Sequence, residues 1–393
     1  MNLLQLLLAF AALFVTVWAQ ACPRLPRNLT LTANPRLPDP FTFFNGRKVR
    51  NAAQWSCRRE EIMELFERLE SGILPPKPSS VSGTIYDGGI TVKITNRRKT
   101  ISFNATIKYP EKGRGPFPAL ITIGRYVSIP IPANVAVIAF ENDAFAGQNG
   151  QSSRGIGQFY DLHGQNHTAS AMTAWAWGVG RLIDALEETS RRHRINVRRI
   201  GTTGCSRNGK GALTVGAFEP RIVLTIPQES GTGGAGCWRL ADDMMKRGLN
   251  VQTARQIVME NVWFSPKFSE VVERVPELPI DHHLLAGLVA PRGLYAIEHS
   301  GIDWLGPPST FGCMATGRKV YEALGVADHM GISSVGDHSH CQFPESQQPE
   351  LDAFIDKFLF RNSSADTDIV RSDVELGFKE EDWIDWKVPK LTR

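Results

Sequence analysis

An α/β domain of three layers, with helices on both sides of a mostly parallel central sheet, is the fold this sequence predicts, and three observations predict it. Short apolar runs, "PALITIG", "VAVIAFE", "RRIGTTG", "RIVLTIP" and "GLYAIEHS", recur along the chain, each bounded by turn residues. Helix-like stretches separate them, which is the pattern of parallel strands joined by right-handed crossovers and buried on both faces. No internal repeat or long low-complexity stretch interrupts this order, and 393 residues are enough for one large domain with a substantial core. The expected organisation is a leader over 1–19 and a single domain over 20–393.

The leader is read from "MNLLQLLLAFAALFVTVWAQACP", apolar from Leu3 to Val17 with small Ala19 placed for cleavage before Gln20. A basic segment at its start is missing, which leaves a signal anchor as the competing reading, although the stretch is short for a membrane span. Export implies oxidising conditions, and the cysteines (Cys22, Cys57, Cys205, Cys237, Cys313, Cys341) form an even set whose pairing spacing alone leaves open. Sequons at Asn28, Asn104, Asn166 and Asn362 fit a glycosylated, secreted, extracellular protein.

Next comes a helix at "REEIMELFERLES", where Ile62, Leu65, Phe66 and Leu69 share one face, ended by "LPPKPSS". Alternation predicts strands at "GTIYDGGITVKIT" and "TISFNATIKY", paired as a hairpin across "NRRK". The crossover "TASAMTAWAWGVGRLIDALEE" opens on Thr168 as its N-cap, and its Trp175 and Trp177 read as packing aromatics. A formal charge of +4 points to no class of partner. The basic run Arg191 to Arg199 reads as a solvated helix end rather than a nucleic-acid site.

The chemistry centres on "IGTTGCSRNGKGA", a strand entering a helix with Ser206 at the corner. A nucleophile elbow needs small residues around its serine. Gly204 stands two before it, but Asn208 occupies the position two after and Gly209 follows only at the third, so the match is imperfect. Arg207 and Lys210 would lie in the first helical turn, where the macrodipole disfavours cations. Surface solubility would explain them cheaply; stabilisation of an oxyanion and of a polar substrate explains why the place is accepted.

Cys205 precedes Ser206, and Cys341 follows His340 in "GDHSHCQFP". A Cys205–Cys341 disulfide would staple a base to the nucleophile, which favours His340 over His338. His282 and His283 lack metal-ligand spacing and read as a surface loop; no zinc motif is present. For the orienting acid, Glu229 in "PQESGTGGAGCWR" and Asp303 in "HSGIDWLGPP" both follow strands, and position decides neither.

The elbow "GCSRNGKGA", the block "PQESGTGGAGCWR", the stretch "NVQTARQIVMENVWFS", the turn "GIDWLGP" and the ending "HSHCQF", in this order, closely resemble fungal glucuronoyl esterases of carbohydrate esterase family 15. The resemblance implies an α/β-hydrolase fold and the triad Ser206, Glu229 and His340. It implies Arg207 in the oxyanion hole, and Lys210, Gln252, Glu260 and Trp304 as contacts to a glucuronate sugar. Gln252 and Glu260 would then share one ridge of a helix, with Gln256 between them. It also implies the disulfides Cys22–Cys57, Cys205–Cys341 and Cys237–Cys313. The activity implied is cleavage of the ester between 4-O-methyl-glucuronate side chains of glucuronoxylan and lignin alcohols, by a monomer without metal or organic cofactor and without nucleic-acid or membrane partners once the leader is removed. Another secreted serine esterase, of acetyl xylan or feruloyl type, and a noncatalytic carbohydrate-binding protein of the same fold are the competing readings.

Overall fold

The computed structural model describes residues 22–391, so the leader over 1–19 and its cleavage point lie outside the described residues. Strands β1 (Ser80–Tyr86), β2 (Gly89–Asn96), β3 (Lys99–Lys108), β4 (Phe117–Ile123), β5 (Ala136–Phe140), β6 (Ile195–Cys205), β7 (Ile222–Gln228), β8 (Gly293–His299), β9 (Met330–Val335) and β10 (Val370–Ser372) join in one sheet. Their order is β1-β2-β3-β5-β4-β6-β7-β8-β9-β10. From β5 across to β10 every pairing is parallel, while β1, β2, β3 and β5 pair antiparallel.

The main helices are α1 (Ala52–Phe66), α2 (Ala171–Glu188), α3 (Arg207–Phe218), α4 (Trp238–Lys246), α5 (Ala254–Glu260), α6 (His282–Val289), α7 (Pro307–Ala323) and α8 (Gln348–Leu359). Alternate residues of the parallel strands enter two different cores, as the period of two requires. Ala119 and Ile121 of β4, and Leu294 and Ala296 of β8, join the large cluster with α1, α2, α3, α6 and α7. Leu120, Leu224, Ile226, Tyr295 and Ile297 join Leu351, Phe354 and Ile355 of α8 on the other face. Both faces are therefore covered, which is the three-layer arrangement that the apolar runs predict and which agrees with the α/β-hydrolase fold that the resemblance implies.

Three local expectations are corrected. The segment "GTIYDGGITVKIT" is not one strand: it turns at Asp87–Gly88, with Gly88 at φ 79°, so β1, β2 and β3 form a meander. Asp-Gly is a strong hairpin signal because glycine adopts positive φ at little cost. The first helix begins earlier than its apolar face suggests, at Ala52, because the Asn51 side chain accepts from Gln54 N. The N-cap of α2 is Ser170, whose Oγ accepts from Thr173 N at 3.1 Å; the Thr168 hydroxyl instead accepts from Ile73 N at 3.3 Å. Trp175 and Trp177 are buried core residues, as expected.

His282 and His283 also depart from expectation. They open α6 and are buried rather than lying on a surface loop. His282 Nε2 meets Glu70 Oε1 at 2.9 Å and its Nδ1 meets Gly234 O at 2.7 Å. Burial alone would depress its pKa, but Glu70 and Asp281 outweigh that and raise it above the ordinary value. For His283, burial dominates and pushes the pKa down to about 4, leaving a neutral ring that meets Pro38 O at 2.8 Å.

The buried Glu70–His282 pair gives a first prediction. Removing one partner strands the other charge, so Glu70→Ala is expected to cost about 3–5 kcal/mol in urea unfolding. A group whose folded pKa is raised stabilises fully below its unfolded value, and that contribution fades as pH rises through the folded value. The deficit of the variant is thus largest below pH ~6.5 and narrows in alkali, which unfolding at several pH values reads directly.

Candidate active site

Strand β6 ends at Cys205 and α3 begins at Arg207, so Ser206 is the single residue that turns the chain. Its backbone sits at φ 59° and ψ −129°, a conformation that is costly for a residue with a side chain. Ser206 N donates to Gln228 O at 2.9 Å and Lys210 N donates to Ser206 O at 3.0 Å, and these bonds hold the turn. The imperfect glycine pattern has a steric reason. A Cβ on Gly204 would stand 2.5 Å from Asn208 O, and one on Gly209 would stand 2.6 Å from Gln228 O. Gly209 thus takes over the clearance that a glycine two after the serine would give, and Asn208 is free to be polar. Its Oδ1 accepts from Asn142 Nδ2 and Gln148 Nε2, both at 3.1 Å.

The disulfide Cys205–Cys341 forms, with Cα atoms 5.8 Å apart, and sets the loop after β9 beside the elbow. Cys22–Cys57 and Cys237–Cys313 form as well. His340 Nδ1 lies 2.7 Å from Glu229 Oε2, and Cys341 N donates to the same oxygen at 2.7 Å. Glu229 is fully buried at the end of β7 and itself strained, at φ 44°. Its backbone N donates to Ile297 O at 2.6 Å, which ties the acid to β8. The opposite nitrogen of His340, Nε2, is buried and makes no hydrogen bond. In free enzymes such contacts are commonly long and tighten only around a substrate. Asp303, the competing acid, is exposed in a short helical turn (Asp303–Leu305) and does not bond the imidazole.

Around this centre the other expected residues gather. Arg207 is exposed, its guanidinium 5.5 Å from the ring of Trp263. As the first helical residue of α3 its N–H has no partner within the helix. Trp263 Nε1 donates to Gln148 Oε1 at 2.8 Å, so Trp263, Gln148 and Asn208 form one polar chain under the elbow. Trp304 stands edge-on to His340 with ring centres 5.0 Å apart, and its carbonyl accepts from Gln252 N at 3.2 Å. Gln252 Nε2 donates to Glu260 Oε2 at 2.8 Å. The two are neighbours, but not for the expected reason: Gln252 precedes α5, whose cap is Thr253, and Gln256 is spent in the capping box. The chain folds back on itself to bring them together.

Lys210 is buried rather than solvated. Its Nζ donates to Ser230 O and, at 2.8 Å, to Thr232 O. Burial pushes its pKa down to about 8 against the pull of Glu298 and Glu260. Glu298, at the end of β8, accepts from Ser230 N at 2.9 Å, Ser230 Oγ at 2.8 Å and Gly231 N at 3.3 Å. Burial pushes Glu298 up to about 7, the Ser230 and Gly231 donors oppose the rise, and Glu229 adds to it. Gln148, Trp263 and Glu298 carry no signal in the sequence, because each acts through partners distant along the chain. Cys205, Glu229, His340 and Cys341 cluster tightly enough to mimic a metal site. Both thiols are consumed in the disulfide, which leaves only the acid and the imidazole as donors.

The geometry can be set beside known proteins. A family model described as "Glucuronyl esterase, fungi" matches residues 92–325. A 4-O-methyl-glucuronoyl methylesterase of Podospora anserina is 52% identical over 373 residues, covering 94% of this chain and 78% of its own length. The solved glucuronoyl esterase of Sporotrichum thermophile superposes with a TM-score of 0.91 at 49% identity, covering 94% of this chain and all (100%) of that one. A serine-to-alanine mutant of a Sporotrichum thermophile glucuronoyl esterase, solved with methyl 4-O-methyl-β-D-glucopyranuronate, gives a TM-score of 0.91 at 48% identity, covering 95% of this chain and all (100%) of that one. With more than half its length matched by the family model and half its residues shared with these relatives, this chain belongs to the fungal glucuronoyl esterases.

Proposed function

We propose that this chain hydrolyses the ester joining the carboxyl group of 4-O-methyl-glucuronate side chains on glucuronoxylan to lignin alcohols, with Ser206 as nucleophile, His340 as base and Glu229 as the acid that orients it. One observation carries the reading: an imidazole anchored through Nδ1 on a buried carboxylate, with Nε2 unoccupied, stapled by a disulfide to the residue beside an elbow serine.

The chemistry follows from these positions. His340 Nε2 takes the Ser206 proton as Oγ attacks the ester carbonyl, and Glu229 fixes the ring and balances the imidazolium. The charge on the tetrahedral oxygen falls to the Arg207 N–H and guanidinium, the latter backed by Trp263. His340 returns the proton to the leaving alcohol. A water, deprotonated by the same imidazole, then opens the glucuronoyl-serine ester and frees Ser206. Gln252 and Glu260, joined to each other and set beside Trp304, offer donors, acceptors and an aromatic edge to sugar hydroxyls. Lys210 has two donors fixed on carbonyls, so it contributes one further N–H and its charge.

Secretion belongs to the same proposal. It is supported by the three disulfides and by the exposure of Asn28, Asn104, Asn166 and Asn362. The continuous sheet supports one domain over 20–393.

The test compares the benzyl ester of 4-O-methyl-glucuronate with acetylated xylan and a feruloyl ester. The expected outcome is turnover of the glucuronate ester with kcat/KM at least about tenfold above the others, the discrimination that a few dedicated polar contacts supply. Faster cleavage of acetyl or feruloyl esters would transfer the site to one of those classes.

A further inference from the structure

The loop between β9 and α8 carries two histidines, and the mechanism above uses only His340. His338 lies two residues earlier, its side chain 5% exposed beside a Glu229 side chain at 1%. Both of its ring nitrogens face backbone carbonyls: Nδ1 is 3.0 Å from Ser339 O and Nε2 is 3.0 Å from Val335 O. A neutral imidazole has one donor and one acceptor, whereas a carbonyl oxygen only accepts. Both contacts are hydrogen bonds only if the ring carries two protons, and a ring so occupied has no nitrogen left to act as a base.

The counter-charge is at hand. Glu229 receives its donors from His340 and Cys341 on Oε2. Its Oε1 is buried without a hydrogen bond and lies 3.7 Å from His338 Nδ1. A buried carboxylate oxygen with neither donor nor cation would be costly. His282 shows the same pattern, two acceptors around one ring with a glutamate as one of them. His299 shows the opposite one. Its Nε2 donates to His338 O at 2.9 Å and its Nδ1 accepts from Gly301 N at 2.9 Å, so it is neutral and satisfied, and its ring packs 4.3 Å from that of His338.

We propose that His338 is held as an imidazolium and is a positioning residue for Glu229, neutralising the buried carboxylate from one side while His340 uses it from the other. The titratable groups nearby are His299, whose ring packs on it, Asp337 next to it in the chain, Glu298, which acts on Glu229, and Asp373, which holds Gly336. Glu298 is committed to Ser230 and Gly231, Asp373 to Gly336 N at 2.7 Å, and Asp337 is exposed. With the cation present, the Glu229 charge that His340 faces is partly offset; without it, that charge acts on the loop in full, which would displace the acidic limb of activity upward. The charge assignment stands on the contacts alone; its catalytic consequence rests on the triad proposed above.

Two measurements decide it. Nitrogen-15 NMR of the ring nitrogens at about pH 7.5 is expected to show both His338 nitrogens protonated and only Nε2 of His299. A singly protonated His338 overturns the charge assignment. The variant His338→Gln keeps an amide donor without charge; on a glucuronate ester its acidic limb of kcat/KM against pH is expected about one unit above wild type, with the plateau lowered less than about tenfold. A folded variant whose limb does not move overturns the positioning role. If that variant does not fold, the NMR measurement on Glu229→Gln replaces it: His338 should lose its second proton when the counter-charge goes, and retention counts against the proposal. A wild type that cleaves no glucuronate ester defeats the proposed function, while the nitrogen spectra still decide the charge.

Discussion

Replacing Ser206 with alanine is expected to lower kcat on the glucuronate benzyl ester by roughly 10⁴- to 10⁶-fold, the range in which removing a triad nucleophile eliminates the acyl-enzyme route. The fold should not suffer. Ser206 makes no cap bond through its side chain, its strained backbone is held by main-chain bonds to Gln228 and Lys210, and the Cys205–Cys341 bridge beside it is untouched. The checks are turnover of wild type and variant side by side, and unfolding free energies from denaturant titration within about 0.5 kcal/mol of each other. Binding of the substrate sugar should survive, since the proposed sugar contacts Gln252, Glu260 and Trp304 are unaltered. Comparable rates in the two proteins would end the serine-nucleophile reading.

Glu229→Gln is expected to follow closely, with kcat lowered by about 10³- to 10⁴-fold. Oε2 accepts at 2.7 Å from both His340 Nδ1 and Cys341 N. A carboxamide can accept one such bond set only if its oxygen faces the loop, and it cannot balance the imidazolium that the proposed proton transfer from Ser206 would form. If the amide nitrogen faces His340 instead, the ring must reverse its tautomer and Nε2 becomes a donor, useless as a base. Asp303 offers no rescue from its exposed turn. The discriminating control is Asp303→Asn, whose kcat should stay within about twofold of wild type; a larger loss there than at Glu229 would reverse the assignment of the acid.

Much of the fold was legible along the chain because it depends on local periodicity. The strands β4 to β8 announce themselves as short runs between turns, and burial on both faces explains why β4, β7 and β8 read as continuous apolar stretches, whereas β9, with Ser333 and Ser334 in it, gives no such run. The meander departs from the sequence expectation for a local reason as well: Asp87–Gly88 is a turn signal set inside a continuous β-like run. The burial of His282 and His283 is not legible locally, because an adjacent polar pair looks solvated until its partner appears, and Glu70 is 212 residues away from His282.

For the site, the order of residues suggested that a serine at a strand-to-helix corner, a cysteine beside it and a second cysteine beside a histidine belong together, since one covalent bridge could join them, and the structure forms that bridge. Which acid serves the imidazole depended on where β7 and β8 end in space. Asp303 and Glu229 both follow strands, yet only one carboxylate points under the ring, because Glu229 N is bonded to Ile297 O and its side chain is turned inward with Cys341 above it. The same holds for Lys210, which the chain presents as a first-turn cation and the fold places against the carbonyls of Ser230 and Thr232. Nearest-neighbour chemistry is written in the order of residues. Desolvation and charge pairing depend on what lies across a gap of a few ångströms, and only the folded chain determines that.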